Sequence, residues 1–227
     1  MYDLVIFDCD GVLVDSEMLS ARVLTGALEE FGVTIDLDHF ERFCLGRSFP
    51  TVAAAIRAEF AVTLPESFEA DYRARLLEVF AAELRVTEGL ATMLDRLETP
   101  AAVATSSSPA RSERSLRVTG LWDRFGHRLY TASQVARGKP APDLFLHTAR
   151  AEGADPARCL VIEDSAPGLA AASAAGMASL HFAGGSHLKG RPARLTGSLG
   201  RIESWESFPA VCPELFAPAP VAAEPAR

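Results

Sequence analysis

Basic charge is scarce in this chain: 22 lysines and arginines face 30 aspartates and glutamates in 227 residues, for a formal net charge of −8. With no long basic block either, nucleic acid and anionic membrane surfaces are not expected as partners, although a site with local positive charge can still hold a small anion. Long apolar runs are missing too. No stretch approaches the roughly 18 apolar residues of a membrane span. The N-terminus lacks a signal peptide's basic-then-apolar layout, and the expected location is the cytoplasm. Cysteine is sparse: Cys9, Cys44, Cys159 and Cys212 lie far apart and form no Cys-x-x-Cys pair, which argues against a zinc site or a disulfide framework. There are no internal repeats. What is present is an ordinary globular composition, 48% hydrophobic and 23% charged, in a chain long enough for one large domain or a domain with an insertion. The oligomeric state is not readable, with a monomer plausible.

Hydrophobic periodicity divides the chain. Leu4-Val5-Ile6-Phe7 reads as a buried strand. Residues 17–31 carry Leu24, Ala27, Leu28 and Phe31 at helical spacing, with Gly32 as a stop. Helical spacing returns over 49–60 and 66–82, with Pro65 between, and no strand appears between 17 and 82. A helix is predicted from Leu90 to Leu97. Short apolar runs follow at Ala101–Thr105, Arg128–Thr131, Cys159–Ile162 and Ala178–Phe182, separated by helical stretches near 110–119, 142–152 and 166–175. Strands alternating with helices predict an α/β fold with a central parallel sheet. The first strand belongs to that sheet, so the helical block is an insertion. The expected division is an α/β core over 1–15 and 83–216, a helical unit over 16–82, and a loose Pro/Ala-rich tail at 217–227.

In an open parallel sheet, ligands bind beyond the carboxyl ends of the strands, and that is where the chemistry-bearing residues fall. The first strand runs into Asp8-Cys9-Asp10-Gly11-Val12-Leu13-Val14-Asp15-Ser16-Glu17. The second ends in Thr105-Ser106-Ser107, another in Glu163-Asp164-Ser165, and Gly138-Lys139-Pro140 lies between those two. Carboxylates held this close raise one another's pKa unless a cation or proton neutralises them, and Gly11 lets the backbone turn sharply beside a ligand. A calcium loop is excluded, because its closing Glu at position twelve would fall on Leu19 and its middle positions on Val12, Leu13 and Val14. Cys9, between the two aspartates, should point the other way into the core as a small hydrophobe. Arg111, Arg114 and Arg117 recur at helical spacing and read most simply as a solvated face.

Four carboxylates, Asp8, Asp10, Glu163 and Asp164, with one lysine imply a hard cation, and phosphate chemistry suits Mg²⁺. A carboxylate can attack a phosphoryl group to form an aspartyl-phosphate, with Asp10 moving the proton to the leaving oxygen and from water. Hydroxyls and N–H groups at Thr105–Ser107, ahead of a helix, would bind phosphoryl oxygens. Lys139 would offset transition-state charge. Each element alone has a plainer reading: a surface lysine, a serine helix cap, a helix N-terminal charge pair. It is the joint order at successive strand ends that favours a site.

These four elements, spread over roughly residues 2–212, resemble the motifs of the haloacid dehalogenase superfamily. The helical insertion after the first motif is similar to the small helical cap of the subfamily that includes β-phosphoglucomutase and phosphoglycolate phosphatase. The resemblance implies a Rossmann-like core with Asp8 as nucleophile and Asp10 as acid/base. It implies a metal held by the Asp8 carboxylate, the Asp10 carbonyl and Asp164, with Glu163 as ligand or just behind. Thr105 and Lys139 would bind the transferring phosphoryl group, with Ser106, Ser107, Gly11 and Glu17 beside the substrate. Dehalogenases generally lack an acid two residues after the nucleophile, so Asp10 argues for phosphoryl transfer.

The part of the substrate beyond the phosphate falls to the helical block, which in such enzymes closes over the site. Its best candidate is Arg47, in Leu45-Gly46-Arg47-Ser48, a guanidinium able to hold a second anionic group. The mutases carry a His in the first cap helix where this chain has Ser20. The look is closer to phosphatases of phosphorylated sugars and sugar acids, such as 6-phosphogluconate phosphatase. The expectation is therefore a Mg²⁺-dependent phosphatase of a small phosphorylated metabolite. A sugar phosphate mutase is the alternative, and a catalytically inactive phospho-ligand-binding domain comes third.

Overall fold

The computed structural model of the chain describes residues 2–190 and 198–217. After β1 (Leu4–Phe7) come four helices, α1 (Glu17–Glu29), α2 (Leu37–Phe43), α3 (Phe49–Phe60) and α4 (Phe68–Glu83), and then α5 (Leu90–Arg96). The remainder alternates: β2 (Ala101–Thr105), α6 (Pro109–Val118), α7 (Trp122–Phe125), β3 (Leu129–Thr131), α8 (Asp143–Ala151), β4 (Cys159–Glu163), α9 (Ala166–Ala174), β5 (Ala178–Phe182), β6 (Arg201–Ile202) and α10 (Phe208–Val211). The six strands form one parallel sheet in the order β3-β2-β1-β4-β5-β6. This is the α/β architecture that the strand–helix alternation predicts.

The central strands are apolar along most of their length because both sheet faces are covered, with polar residues such as Thr105 and Glu163 at their carboxyl ends. Alternation along each strand sorts its side chains into two cores. Val5, Phe7, Val103, Leu160, Ile162 and Phe182 pack on one face. Leu4, Ile6, Ala102, Ala104 and Val161 pack on the other, under Leu144 and Phe145 of α8. The first of these cores continues without a break into the helices between β1 and β2, through Leu24, Leu28, Tyr72, Leu76 and Phe80. The helical insertion is therefore seated on the sheet by apolar contact and is not merely tethered to it.

Register then sets the site. Phe7 pairs with Val103 on β2 and with Ile162 on β4, so β1, β2 and β4 end side by side and Asp8, Thr105 and Glu163 share one rim.

Four elements were not expected. α2 is only two turns long and starts on Asp36, whose Oδ1 accepts the His39 N–H at 2.7 Å. β6 is two residues long and exists through its pairing with β5, a tertiary contact with no local pattern. α7 and α10, of four residues each, lie below the length at which periodicity shows. Of the tail expected at 217–227, all but Ala217 lies outside the described residues.

Candidate active site

Beyond β1 the backbone folds back on itself: the N–H groups of Leu13 and Val14 both reach the Cys9 carbonyl, and the Gly11 N–H reaches Val14 O. Gly11 has φ +77°, and a Cβ there would lie 1.9 Å from Asp164 Oδ2. Only glycine leaves room for that carboxylate. Thr87 fastens the loop from below, donating to Val12 O at 2.6 Å while accepting from Trp205 Nε1. Cys9 is fully buried, and burial, with Asp10 and Asp8 on either side, pushes its thiol far up. All four cysteines are free and buried.

Two carboxylates two residues apart meet different surroundings. Asp8 Oδ1 accepts from Lys139 Nζ at 2.5 Å, and the same Nζ donates to Glu163 Oε1 at 2.7 Å and to Ala104 O at 2.9 Å. All three ammonium protons are thus used, under side chains 1%, 9% and 0% exposed for Lys139, Asp8 and Glu163. Burial would discharge Lys139, but Asp8 and Glu163 overcome it and hold its pKa above the ordinary range. Asp8 is itself driven well upward, by burial first and then by Glu163 and Asp164, against the pull of Lys139. The second oxygen of Glu163 accepts from the N–H and Oγ of Ser165 at 2.9 Å each, so Glu163 is hydrogen-bonded at both oxygens.

Asp8, Glu163 and Asp164 bring carboxylate oxygens within 4.8 Å of one another. Burial, then Glu163, pushes Asp164 far up, and its buried Oδ2 accepts no hydrogen bond although His187 Nε2 stands 3.0 Å away. Three buried oxygen donors with one lysine to offset them, and one orphaned carboxylate oxygen, fit a hard divalent cation. The Asp10 side chain is not in this group.

Asp10 is held by three donors: Ser16 Oγ at 2.7 Å and Arg111 Nη2 at 2.7 Å on Oδ1, and Ser107 Oγ at 2.6 Å on Oδ2. Burial opposes its charge, yet Arg111 and these hydrogen bonds bring its pKa below the ordinary value. Arg111 therefore does not belong to a solvated face. Its side chain is 18% exposed, reaches Ser20 Oγ of α1 at 3.0 Å and lies 5.2 Å from the Phe80 ring of α4. Three-residue spacing turns a helix about 300° per step, so Arg114 and Arg117 drift away from it and are exposed. His187, in the loop after β5, was also not expected; it arrives because Ser186 bonds Asp15 Oδ1 through both N–H and Oγ.

The remaining expected residues surround a cavity of about 350 Å³ that opens between the strand ends and the helical insertion. Thr105 is buried, and its Oγ1 accepts the Ser107 N–H at 3.0 Å. Ser106 Oγ donates to Gly46 O at 3.1 Å, joining the strand end to the loop before α3. Gly46 has φ +70°, and a Cβ there would meet Ser165 Oγ at 2.4 Å. Arg47 lines the cavity as an exposed residue. Glu17 is buried in the wall, its carboxyl pushed up to about 8 by burial first and then by Asp10.

A buried lysine tying a strand-end aspartate to a carboxylate pair on the neighbouring strand, beside a second aspartate with its own cation, is a site for phosphoryl transfer. The chain belongs to the haloacid dehalogenase-like hydrolases, whose family model matches residues 2–176, and it is an enzyme of the phosphatase kind. Among curated proteins it is similar to the 6-phosphogluconate phosphatase of Escherichia coli K12, 31% identical over 82% of this chain and 84% of that one. The β-phosphoglucomutase of Bacillus subtilis is 28% identical over 90% and 96%. Among solved structures, a haloacid dehalogenase-family hydrolase from Deinococcus radiodurans, crystallised with phosphate and sodium, is 35% identical with a TM-score of 0.74, covering 96% of this chain and 99% of its own. No helix among the described residues is long and apolar enough to cross a membrane.

Proposed function

We propose that the protein is a Mg²⁺-dependent phosphatase acting on a small phosphorylated metabolite, a sugar or sugar-acid phosphate, through an aspartyl-phosphate on Asp8. The observation that carries this is the split between the two aspartates. Asp8 shares a buried lysine with Glu163, whereas Asp10, two residues on, sits among hydroxyls and a guanidinium in the wall of the same cavity. In this reading Asp8 attacks phosphorus, and Asp10 delivers a proton to the leaving oxygen and then takes one from the water that releases phosphate. Lys139 is a fixed positive charge beside the nucleophile, and Thr105, Ser106 and Ser107 offer hydroxyls and N–H groups to the phosphoryl oxygens. Asp8, Asp164 and the Asp10 carbonyl would hold the cation, with Glu163 behind them, and it would supply charge neutralisation at the phosphoryl oxygens. Gly11 gives the approach, Glu17 lines the substrate's path and Arg47 stands at its rim. Residues 16–82 act as the cap and the remainder as the core. The acidic surface favours a cytoplasmic enzyme of small molecules over one of nucleic acid or membrane.

The test is phosphate release from p-nitrophenyl phosphate and a sugar phosphate panel with Mg²⁺. The wild type should turn over, and Asp8→Asn should reduce turnover by at least about a thousandfold. An inert wild type sinks the proposal. Interconversion of two sugar phosphates faster than phosphate release would point instead to the mutase that the Bacillus relative exemplifies.

A further inference from the structure

Three guanidinium groups line the cavity, and their hydrogen bonding sets them apart. Arg73 is engaged at all three nitrogens: Nε and Nη2 both bond Glu69 Oε1, at 2.8 and 2.5 Å, and Nη1 bonds Ser108 Oγ. Arg47 is exposed, and water competes for its charge. Arg111 differs from both. Its Nη2 serves Asp10 and Ser20, its Nε–H is buried without an acceptor, and its Nη1 has no acceptor among the described residues. A largely buried guanidinium with three of its five N–H donors unused, in the wall of a cavity, can take a further acceptor.

We propose that Arg111 is the specificity residue of this site, using its Nη1–Nη2 edge to hold a carboxylate that the phosphorylated substrate carries close to its ester oxygen. The proposal rests on the phosphatase reading above. Asp10 takes one hydrogen bond from the guanidinium, while a substrate carboxylate can take two from one edge. Exchanging one carboxylate partner for another leaves the cation neutralised throughout. Asp10 keeps Ser16 and Ser107 in the exchange. The reach is short. With the leaving oxygen against Asp10, Arg111 lies on the order of 5 Å beyond it, two hydrogen-bond lengths, which suits an acid group two or three bonds from the ester carbon. The Phe80 face and Ser20 fix the guanidinium plane from the helical insertion, so the acid group is read only where insertion and strand ends meet.

Glycerol 3-phosphate and 3-phosphoglycerate differ only in a terminal CH₂OH against a carboxylate and make a matched pair. Steady-state kinetics on both, and on p-nitrophenyl phosphate, would be compared for wild type, Arg111→Gln, Arg111→Lys and Arg47→Gln. The wild type should prefer 3-phosphoglycerate in kcat/KM by roughly tenfold to a hundredfold. Arg111→Gln should erase that ratio, mainly through KM, Arg111→Lys should restore part of it, and Arg47→Gln should leave it in place. A wild type that hydrolyses p-nitrophenyl phosphate but shows no preference for the acid overturns the assignment alone. So does a preference that survives in Arg111→Gln or vanishes in Arg47→Gln. A wild type inert on all three esters overturns the phosphatase reading and this proposal with it.

Discussion

Asp8 and Asp10 stand two residues apart, and the structure treats them as two regions. The Asp8 side is built on the sheet: β1, β2 and β4 end together, and Lys139, from the loop before α8, closes the group with all of its protons committed. The Asp10 side is built across a boundary. Ser107 and Arg111 come from the end of β2 and from α6, Ser16 leads into α1, and Arg111 leans on Ser20 and Phe80 of the helical insertion. The first region has one cation and nothing to replace it; the second has three donors, each of which the other two back up. Chemistry that must be invariant sits where the fold is rigid, and chemistry that must respond to substrate sits where two units meet.

The largest test of that contrast is Lys139→Met. It leaves Asp8, Glu163 and Asp164 facing one another without a cation, and breaking a buried pair in this way costs about 3–5 kcal/mol. Urea unfolding at pH 7 should show that loss, and phosphate release should fall at least about a thousandfold. Saturating Mg²⁺ should recover part of the stability but not the turnover. A variant as stable as wild type without metal would mean that the three carboxylates are protonated rather than paired, and the contrast with Asp10 would go.

The same contrast governs what could be read from residues alone. Asp8, Asp10 and the Glu163-Asp164 pair were legible because each lies just past an apolar run, and a parallel sheet gathers such positions on one rim; Lys139 was legible only from its Gly-Lys-Pro setting between two strand ends. Lys139 is one of only two lysines in the chain, Lys189 being the other, yet nothing local says that it is buried. Arg111 was illegible for a different reason. Its first-turn position in α6 is compatible with either face, and only the packing of Ser20 and Phe80 decides which. His187 depends on a loop returning from β5, and β6 on a partner strand. Apolar patterning reports which residues face a core, but it is silent about polar side chains whose direction is set by a second element.

Glu17 offers a middle-sized effect, on the insertion's side of the site. Its carboxyl, buried and raised from 4.5 to about 8, binds a proton in the folded chain that the unfolded chain gives up earlier. Stability from this group is fully present below pH 4.5 and is lost as pH rises through about 8. Glu17→Gln removes the titration while keeping the shape. Its unfolding free energy relative to wild type should rise between pH 5 and pH 8.5 by on the order of 4 kcal/mol. An offset equal at both pH values would show that Glu17 is solvated or paired, and that the cavity wall here is less apolar than its surroundings indicate.

Ser16→Ala should be the mildest, because it takes one donor of three from Asp10. Ser16 is fully buried and its hydroxyl lies 2.7 Å from Asp10 Oδ1. Losing one such bond to a charged acceptor that keeps two others should cost about 1–2 kcal/mol at pH 7, with turnover within roughly tenfold of wild type. The pH dependence runs opposite to that of Glu17. The Asp10 carboxyl titrates below its ordinary value in the folded state, so its stabilisation is present above the unfolded pKa and is lost as pH falls through the folded one. The difference between Ser16→Ala and wild type should therefore shrink in acid, where Asp10 is protonated in both. If it persists unchanged through the acid titration in urea unfolding, the Ser16 hydroxyl stabilises the turn independently of the Asp10 charge, and the Asp10 side has two effective donors rather than three.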